Sequence, residues 1–297
     1  MADTCGTQTT EPLPPYIFGG SGPVIHLAHA NGFPPQTYLP LVEALMRQAP
    51  VGYRVIGLPA RPLWPGSRPD SAPGWRHLVD DLVDGLDRLG LNDIAGVGHS
   101  LGGVLTMWAA IRRPDLFRAV VLIDPVMLPP AQLWTLRCLR RLGLRQWQPL
   151  VREALRRRRV WPSRPACYRH FQDKPLFTRW TEASLRAYVE SGTRERPDGQ
   201  MELVYPPEWE AHLFATVPVG VWKDVAQLHT ATLVVRGERS DVFGPASQAR
   251  MGKLLPGIRF SVVPGATHMV PMECPQEVAG EIHTFLRRNT GRRADQP

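Results

Sequence analysis

The chain is predicted to fold as an α/β protein, a mostly parallel doubly wound sheet with a helical cap inserted into it. Three observations predict this. Short apolar runs bounded by Gly, Pro or Asp alternate with longer stretches of helical periodicity. Several of those runs are almost continuously hydrophobic, as strands are when both faces of a sheet are covered. The alternation stops between residues 125 and 228 and then resumes, a gap too long for a loop.

Taken in order, the candidate strands are residues 24–29, 54–58, 94–98, 119–123, 232–236 and 259–263, and the helices between them are 38–48, 75–89, 101–112, 246–255 and 275–288. The interruption is rich in Arg, Trp and Pro and shows no convincing strand. It reads as a helical subdomain with helices near 131–142, 147–158, 165–171 and 182–191. The expected division is a core of residues 1–124 and 229–297 and a cap of residues 125–228. The loop 59–73 is Pro-dense and should be semi-rigid, and the tail 290–297 is expected to fray.

A chain of 297 residues with 43% hydrophobic content can bury about three quarters of its unfolded surface and needs no staples. Cys5, Cys138, Cys167 and Cys274 lack CxxC spacing and nearby His partners, so they read as reduced thiols rather than a zinc site or disulfide framework. Residues 1–15 lack the basic-then-apolar pattern of a secretory signal, and no run approaches the roughly 18 apolar residues that span a bilayer. A cytoplasmic location is expected.

Net charge is +8, with the excess concentrated between Arg137 and Arg159. Such a patch attracts phosphate or anionic headgroups, or it is simply a solvated helix face, the commoner role. No nucleic-acid motif accompanies it, so membrane-surface contact through the cap stays open and a nucleic-acid partner is not expected.

The strongest chemical signal is Gly98-His99-Ser100-Leu101-Gly102-Gly103, lying between a strand-like and a helix-like segment. Small residues two before and two after a serine let neighbouring backbone approach a strained strand-to-helix turn. That turn lifts the hydroxyl above the sheet at a helix N-terminus, where N–H groups and the dipole favour developing negative charge. Taken alone, the pattern equally fits a Gly-rich turn with a capping serine. His268 follows the last strand at the same sheet edge, where it can act as general base, and Asp241 follows the preceding strand, where it can orient the imidazole. The order Ser, Asp, His with each group at a strand end argues for nucleophilic catalysis.

With the GHSLGG elbow, the late Ser240-Asp241 turn and the C-terminal GATHMVPMECP segment, the chain resembles the α/β-hydrolase superfamily over residues 24–286. It is most similar to the capped branch of esterases, lipases, C–C bond hydrolases, cofactor-free haloperoxidases, dehalogenases and epoxide hydrolases. In that branch dehalogenases and epoxide hydrolases carry an Asp nucleophile, so Ser100 disfavours both activities. The segment His29-Ala30-Asn31-Gly32-Phe33-Pro34 resembles the oxyanion loop with an Ala-Asn departure, which implies donors at the N–H groups of Leu101 and near Phe33, with the Asn31 side chain as a further candidate. In some relatives the acid follows the earlier strand, which makes Asp124 the alternative to Asp241; otherwise Asp124-Pro125 ends the strand and starts the cap. Glu273 resembles a position that caps the last helix.

His99, Trp64 and Met269 are the candidate pocket residues, His99 having packing beneath the elbow as its alternative. The cap holds Trp134, Trp147, Trp161, Trp180, Trp209 and Trp222, which line an apolar cavity or build the cap's own core. The expected function is cleavage of a small hydrophobic ester or thioester through an acyl-enzyme on Ser100, with no cofactor or metal. The alternatives are a C–C bond hydrolase or haloperoxidase using the same triad, or a non-catalytic ligand-binding module.

Overall fold

In a computed structural model, residues 10–49 and 52–289 are described. Seven strands form the main sheet: β1 (Tyr16–Gly19), β2 (Val24–Ala28), β3 (Arg54–Gly57), β4 (Ile94–His99), β5 (Phe117–Ile123), and, after a long excursion, β9 (Thr232–Gly237) and β10 (Arg259–Val263). Their order is β1-β3-β2-β4-β5-β9-β10. Six are parallel, and β1 pairs with β3 in the opposite sense. Side chains along β5 and β9 alternate between the faces, Val120, Leu122 and Val234 entering one core and Val121, Ile123 and Val235 the other. Both faces are therefore dry, which is why these strands read as unbroken apolar runs.

Between the strands run α1 (Leu39–Gln48), α2 (Trp75–Arg88) and α3 (Leu101–Arg112). The excursion from β5 to β9 carries α4 (Pro130–Arg141), α5 (Pro149–Leu155), α6 (Arg164–Gln172), α7 (Glu182–Gly192) and α8 (Pro207–Ala215), and the chain ends with α9 (Pro245–Leu254), α10 (Val270–Glu273) and α11 (Pro275–Asn289). The buried sides of α1 and α11 join the core on one face of the sheet; those of α2, α3 and α9 join the core on the other.

The chain runs from β2 outward to β3, then crosses back to place β4 on the other side of β2. That reversal opens a crevice at the carboxyl ends of β2 and β4, the place where sheets of this kind bind ligands. The 29–34 loop leaves β2 there and the 100–101 turn leaves β4.

Three expectations are corrected. The insertion has strands: β6 (Val160–Trp161), β7 (Thr193–Glu195) and β8 (Met201–Leu203) form a small antiparallel sheet in the order β6-β8-β7. Strands of two or three residues cannot display an alternating pattern. β1, four residues set between Pro14-Pro15 and Gly20, is a further strand that the sequence reading does not include. Helix α8 was also missed, because its start at Pro206-Pro207 reads as a breaker, although proline suits the first helical turn. The 59–73 loop contains two short 3₁₀ turns, Arg61–Leu63 and Pro69–Ser71. Cys138, Cys167 and Cys274 are free thiols, while Cys5 and the 290–297 tail lie outside the described residues.

Candidate active site

Ser100 sits between the end of β4 and the start of α3 with φ +56° and ψ −116°, a conformation that L-residues rarely adopt. The surroundings enforce it. A Cβ on Gly98 would lie 2.3 Å from the Gly102 carbonyl oxygen, and one on Gly102 would lie 2.1 Å from that of Ala28. The Ser100 N–H donates to the Ile123 carbonyl at 2.9 Å, tying the turn to β5. Leu101 opens α3, so its N–H has no partner within the helix and points with the helix dipole toward the crevice.

His268 arrives on the loop after β10 with Nε2 2.9 Å from Ser100 Oγ and Nδ1 2.8 Å from Asp124 Oδ1. The Nδ1–H donates to the carboxylate, which leaves Nε2 to accept the Ser100 hydroxyl proton. Asp124, the first residue after β5, is fully buried at φ +42°. Its Oδ2 accepts the Gly237 N–H at 2.9 Å and its Oδ1 also accepts the Ser240 hydroxyl at 2.5 Å. That hydroxyl in turn accepts the N–H groups of Val242 and Phe243 at 3.2 and 3.0 Å, so its own proton is directed to Asp124.

The expectation that Asp241 orients His268 is therefore corrected: Asp124 does so and Asp241 is exposed. Strands β5 and β9 are neighbours, so both aspartates reach the same sheet edge. What separates them is that Ser240, one residue earlier, occupies the inward position. Glu273 does not cap the last helix; it accepts the Thr267 N–H at 2.9 Å and the Thr267 hydroxyl, bracing the loop beside His268.

His99 is buried, not a pocket wall. Its Nε2 lies 3.0 Å from the His268 carbonyl, which can only accept, so Nδ1 must accept from the Tyr38 hydroxyl at 2.7 Å. Tyr38 in turn accepts the Ala30 N–H at 3.0 Å. One chain of hydrogen bonds thus links the β2 loop, the turn after β4 and the base-bearing loop. Burial, reinforced by His268, holds the His99 imidazole well below its usual titration range and so neutral. Tyr38 carries no local motif that could have revealed this role.

In the β2 loop, His29 Nδ1–H donates to the Ala30 carbonyl at 2.9 Å and Nε2 accepts the Ala60 N–H at 3.0 Å. The Phe33 N–H makes a long 3.3 Å contact to the same carbonyl, and the Phe33 ring packs against Trp180 and Tyr188 of the insertion. The Asn31 side chain is committed elsewhere, which corrects its candidacy as an oxyanion donor. Its Nδ2 donates to the Glu210 carbonyl at 3.0 Å and its Oδ1 accepts the Tyr205 hydroxyl at 2.9 Å. The Glu210 carboxylate lies against Gly32, whose φ of +86° permits the approach, and pairs with Arg157.

Of the other two pocket candidates, Trp64 is buried and borders a cavity with His26, His29, Leu58 and Asp81, its indole N–H donating to the Pro59 carbonyl at 2.8 Å. Met269 is packed in the core beside Val270 and Met272. Of the insertion's tryptophans, Trp161, Trp180, Trp209 and Trp222 are buried and Trp134 and Trp147 are exposed. Among the described residues, no cluster of His, Cys, Asp or Glu could hold a metal ion.

This order of strands, with a strained serine at the switch point, coincides with a match of residues 27–281 to the model of the alpha/beta hydrolase family. The chain belongs to that family. This α/β hydrolase is 26% identical over 278 residues to haloalkane dehalogenase 2 of Mycobacterium tuberculosis, covering 90% of this chain and 89% of that one. It is 24% identical over 270 residues to 2-(acetamidomethylene)succinate hydrolase of Mesorhizobium japonicum, covering 90% and 89%. A 34% match to epoxide hydrolase 3 of Siraitia grosvenorii spans 112 residues, 37% of this chain and about a third (34%) of that protein's length. Among solved structures, a 2-(acetamidomethylene)succinate hydrolase superposes with TM-score 0.73 at 23% identity over 90% of this chain and 92% of that one. An esterase of M. tuberculosis gives 0.69 at 22% over 94% and 92%. The relatives are hydrolytic enzymes, and so is this α/β hydrolase.

Proposed function

We propose that this enzyme cleaves a hydrophobic carboxylic ester or thioester in two steps through an acyl-enzyme on Ser100, with His268 as general base and Asp124 as its orienting acid. The supporting observation is the continuous line from Ser100 Oγ through His268 to Asp124 Oδ1, at 2.9 and 2.8 Å. His268 takes the hydroxyl proton as Oγ attacks the carbonyl carbon, and the imidazolium hands that proton to the leaving group. Water then attacks the acyl-enzyme with the same base, releasing the acid and restoring Ser100. The Leu101 N–H, at the positive end of α3, faces the developing oxyanion, a kind of contact typically worth about 10²- to 10³-fold in rate.

A hydroxyl nucleophile suits acyl transfer. The insertion acts as a lid whose aromatic side chains Trp180 and Tyr188 lie over the β2 loop, which favours an apolar acyl group. The test is a fluorophosphonate probe followed by a series of p-nitrophenyl esters of rising chain length. Wild type should be labelled and turn over esters, while Ser100→Ala should do neither. An unlabelled wild type, inert to every ester, would overturn the proposal.

A further inference from the structure

The chain holds 35 basic and 27 acidic residues, and nine of the former with one of the latter, Glu153, fall between residues 130 and 159. Outside that stretch the charges balance at 26 each, so the +8 excess resides in α4, α5, the turn between them and the Arg156 to Arg159 run that follows α5. Leu133 of α4 faces inward, as do Val151 and Ala154 of α5, the latter two packing beside Ala211 of α8. The outer surface is unlike a solvated face. Trp134 is 66% exposed, Leu142 70%, Trp147 60%, Leu150 55% and Leu155 47%. Among the described residues, the other large exposed apolar side chains, Ile17, Leu89, Leu176 and Val262, are scattered in sequence.

Interleaved with these side chains are Arg137, Arg141, Arg145, Arg152 and Arg156, all exposed, none in an ion pair among the described residues. Two neighbours behave differently: Arg157 turns inward to Glu210 and Arg159 pairs with Glu208.

We infer that this α4–α5 face docks the enzyme onto a bilayer surface rich in anionic phospholipid. Exposed indoles and leucines settle at the headgroup boundary, where an amphipathic ring is half wet and half dry, while guanidinium groups reach the phosphates. No helix among the described residues is long and apolar enough to cross a membrane, so the contact is with the surface. A second copy is a poor occupant, because a self-complementary pairing would bring two cationic faces together. A nucleic acid would engage the arginines but leave Leu142, Leu150 and Leu155 in water. The contact does not involve Ser100 and stands apart from the reaction proposed above.

Full-length protein is mixed with sucrose-loaded vesicles of phosphatidylcholine alone, or with about 30 mol% phosphatidylglycerol, at about 0.1 M salt, and sedimented. Wild type and Ser100→Ala should both partition onto the anionic vesicles and not the neutral ones. The pairs Trp134→Ser with Trp147→Ser, and Arg141→Gln with Arg145→Gln, should each weaken partitioning at least about tenfold with unchanged circular dichroism and melting temperature. Any of four results would overturn the inference: no partition of wild type onto anionic vesicles, a tryptophan pair that binds as wild type does, tighter binding to polyuridylate than to vesicles, or a solution dimer that the tryptophan pair dissolves.

Discussion

Asp124 and Asp241 differ in what surrounds them far more than in where the chain puts them. Asp124 is buried and receives the Gly237 N–H, the Ser240 hydroxyl and His268, while Asp241 is exposed to solvent. Asp124→Asn should therefore cut kcat by up to about 10⁴ with the fold intact, and Asp241→Asn should stay within about twofold of wild type. Steady-state kinetics with one activated ester separates them, and the reverse ranking would refute the assignment. Ser240→Ala removes a hydrogen bond to a charged group, a contact usually worth about 1.5–3 kcal/mol. It should lower kcat roughly ten- to a hundredfold with KM unchanged, and Ser240→Thr, which keeps the hydroxyl, should recover most of the loss. Ser100 and His268 were legible in the sequence because each lies in a local pattern at a strand end. The acid was not, since two strand ends offered one each, and the choice turned on the hydroxyl of Ser240. The Asn31, Tyr38 and His99 roles depend on partners far along the chain, which no local pattern records.

At the scale of elements, the parallel strands and flanking helices were legible because burial on both faces leaves unbroken apolar runs bounded by turns. The failures were β1, the three short strands of the insertion and α8, pieces too brief or too proline-led to show a period. The turn from β4 to α3 is held by two glycines. Gly102→Ala would set a Cβ against the Ala28 carbonyl, backbone that cannot swing away as a side chain could. It should destabilise the protein by about 3 kcal/mol or more, near the upper range for overpacking, and lower the melting temperature by several degrees. A scanning calorimetry trace indistinguishable from wild type would contradict that.

For the whole molecule, acid sensitivity follows from two histidines buried in β2 and in the loop that leaves it. Burial, with help from His29, lowers His26 to about 3, and burial lowers His29 to about 4. In the unfolded chain both titrate near 6.5. Between about pH 6.5 and pH 4 the unfolded state therefore binds the extra protons, and stability falls as pH falls, by up to about 1.4 kcal/mol per unit for each histidine. The loss should level off only below the folded-state values, and these two groups contribute no slope above about pH 7.5. Melting temperatures measured from pH 8 to pH 4 should show that decline, and His26→Gln should flatten it; equal stability at pH 5 and pH 7 would rule the effect out. The existence of the insertion was legible at this scale as an interruption of rhythm, but its attachment to the β2 loop was not.

That attachment constrains how such enzymes can be rebuilt. Both ends of the Asn31 amide are held by the insertion, through Tyr205 and the Glu210 carbonyl, although these residues are more than 170 positions away in the chain. Grafting a foreign insertion onto this core without an acceptor and a donor at those two places would strand an unmet amide in the β2 loop. Interchange of the insertion and the β2 loop must therefore proceed as one exchange, and chimaeras that swap only one should lose order first at Gly32.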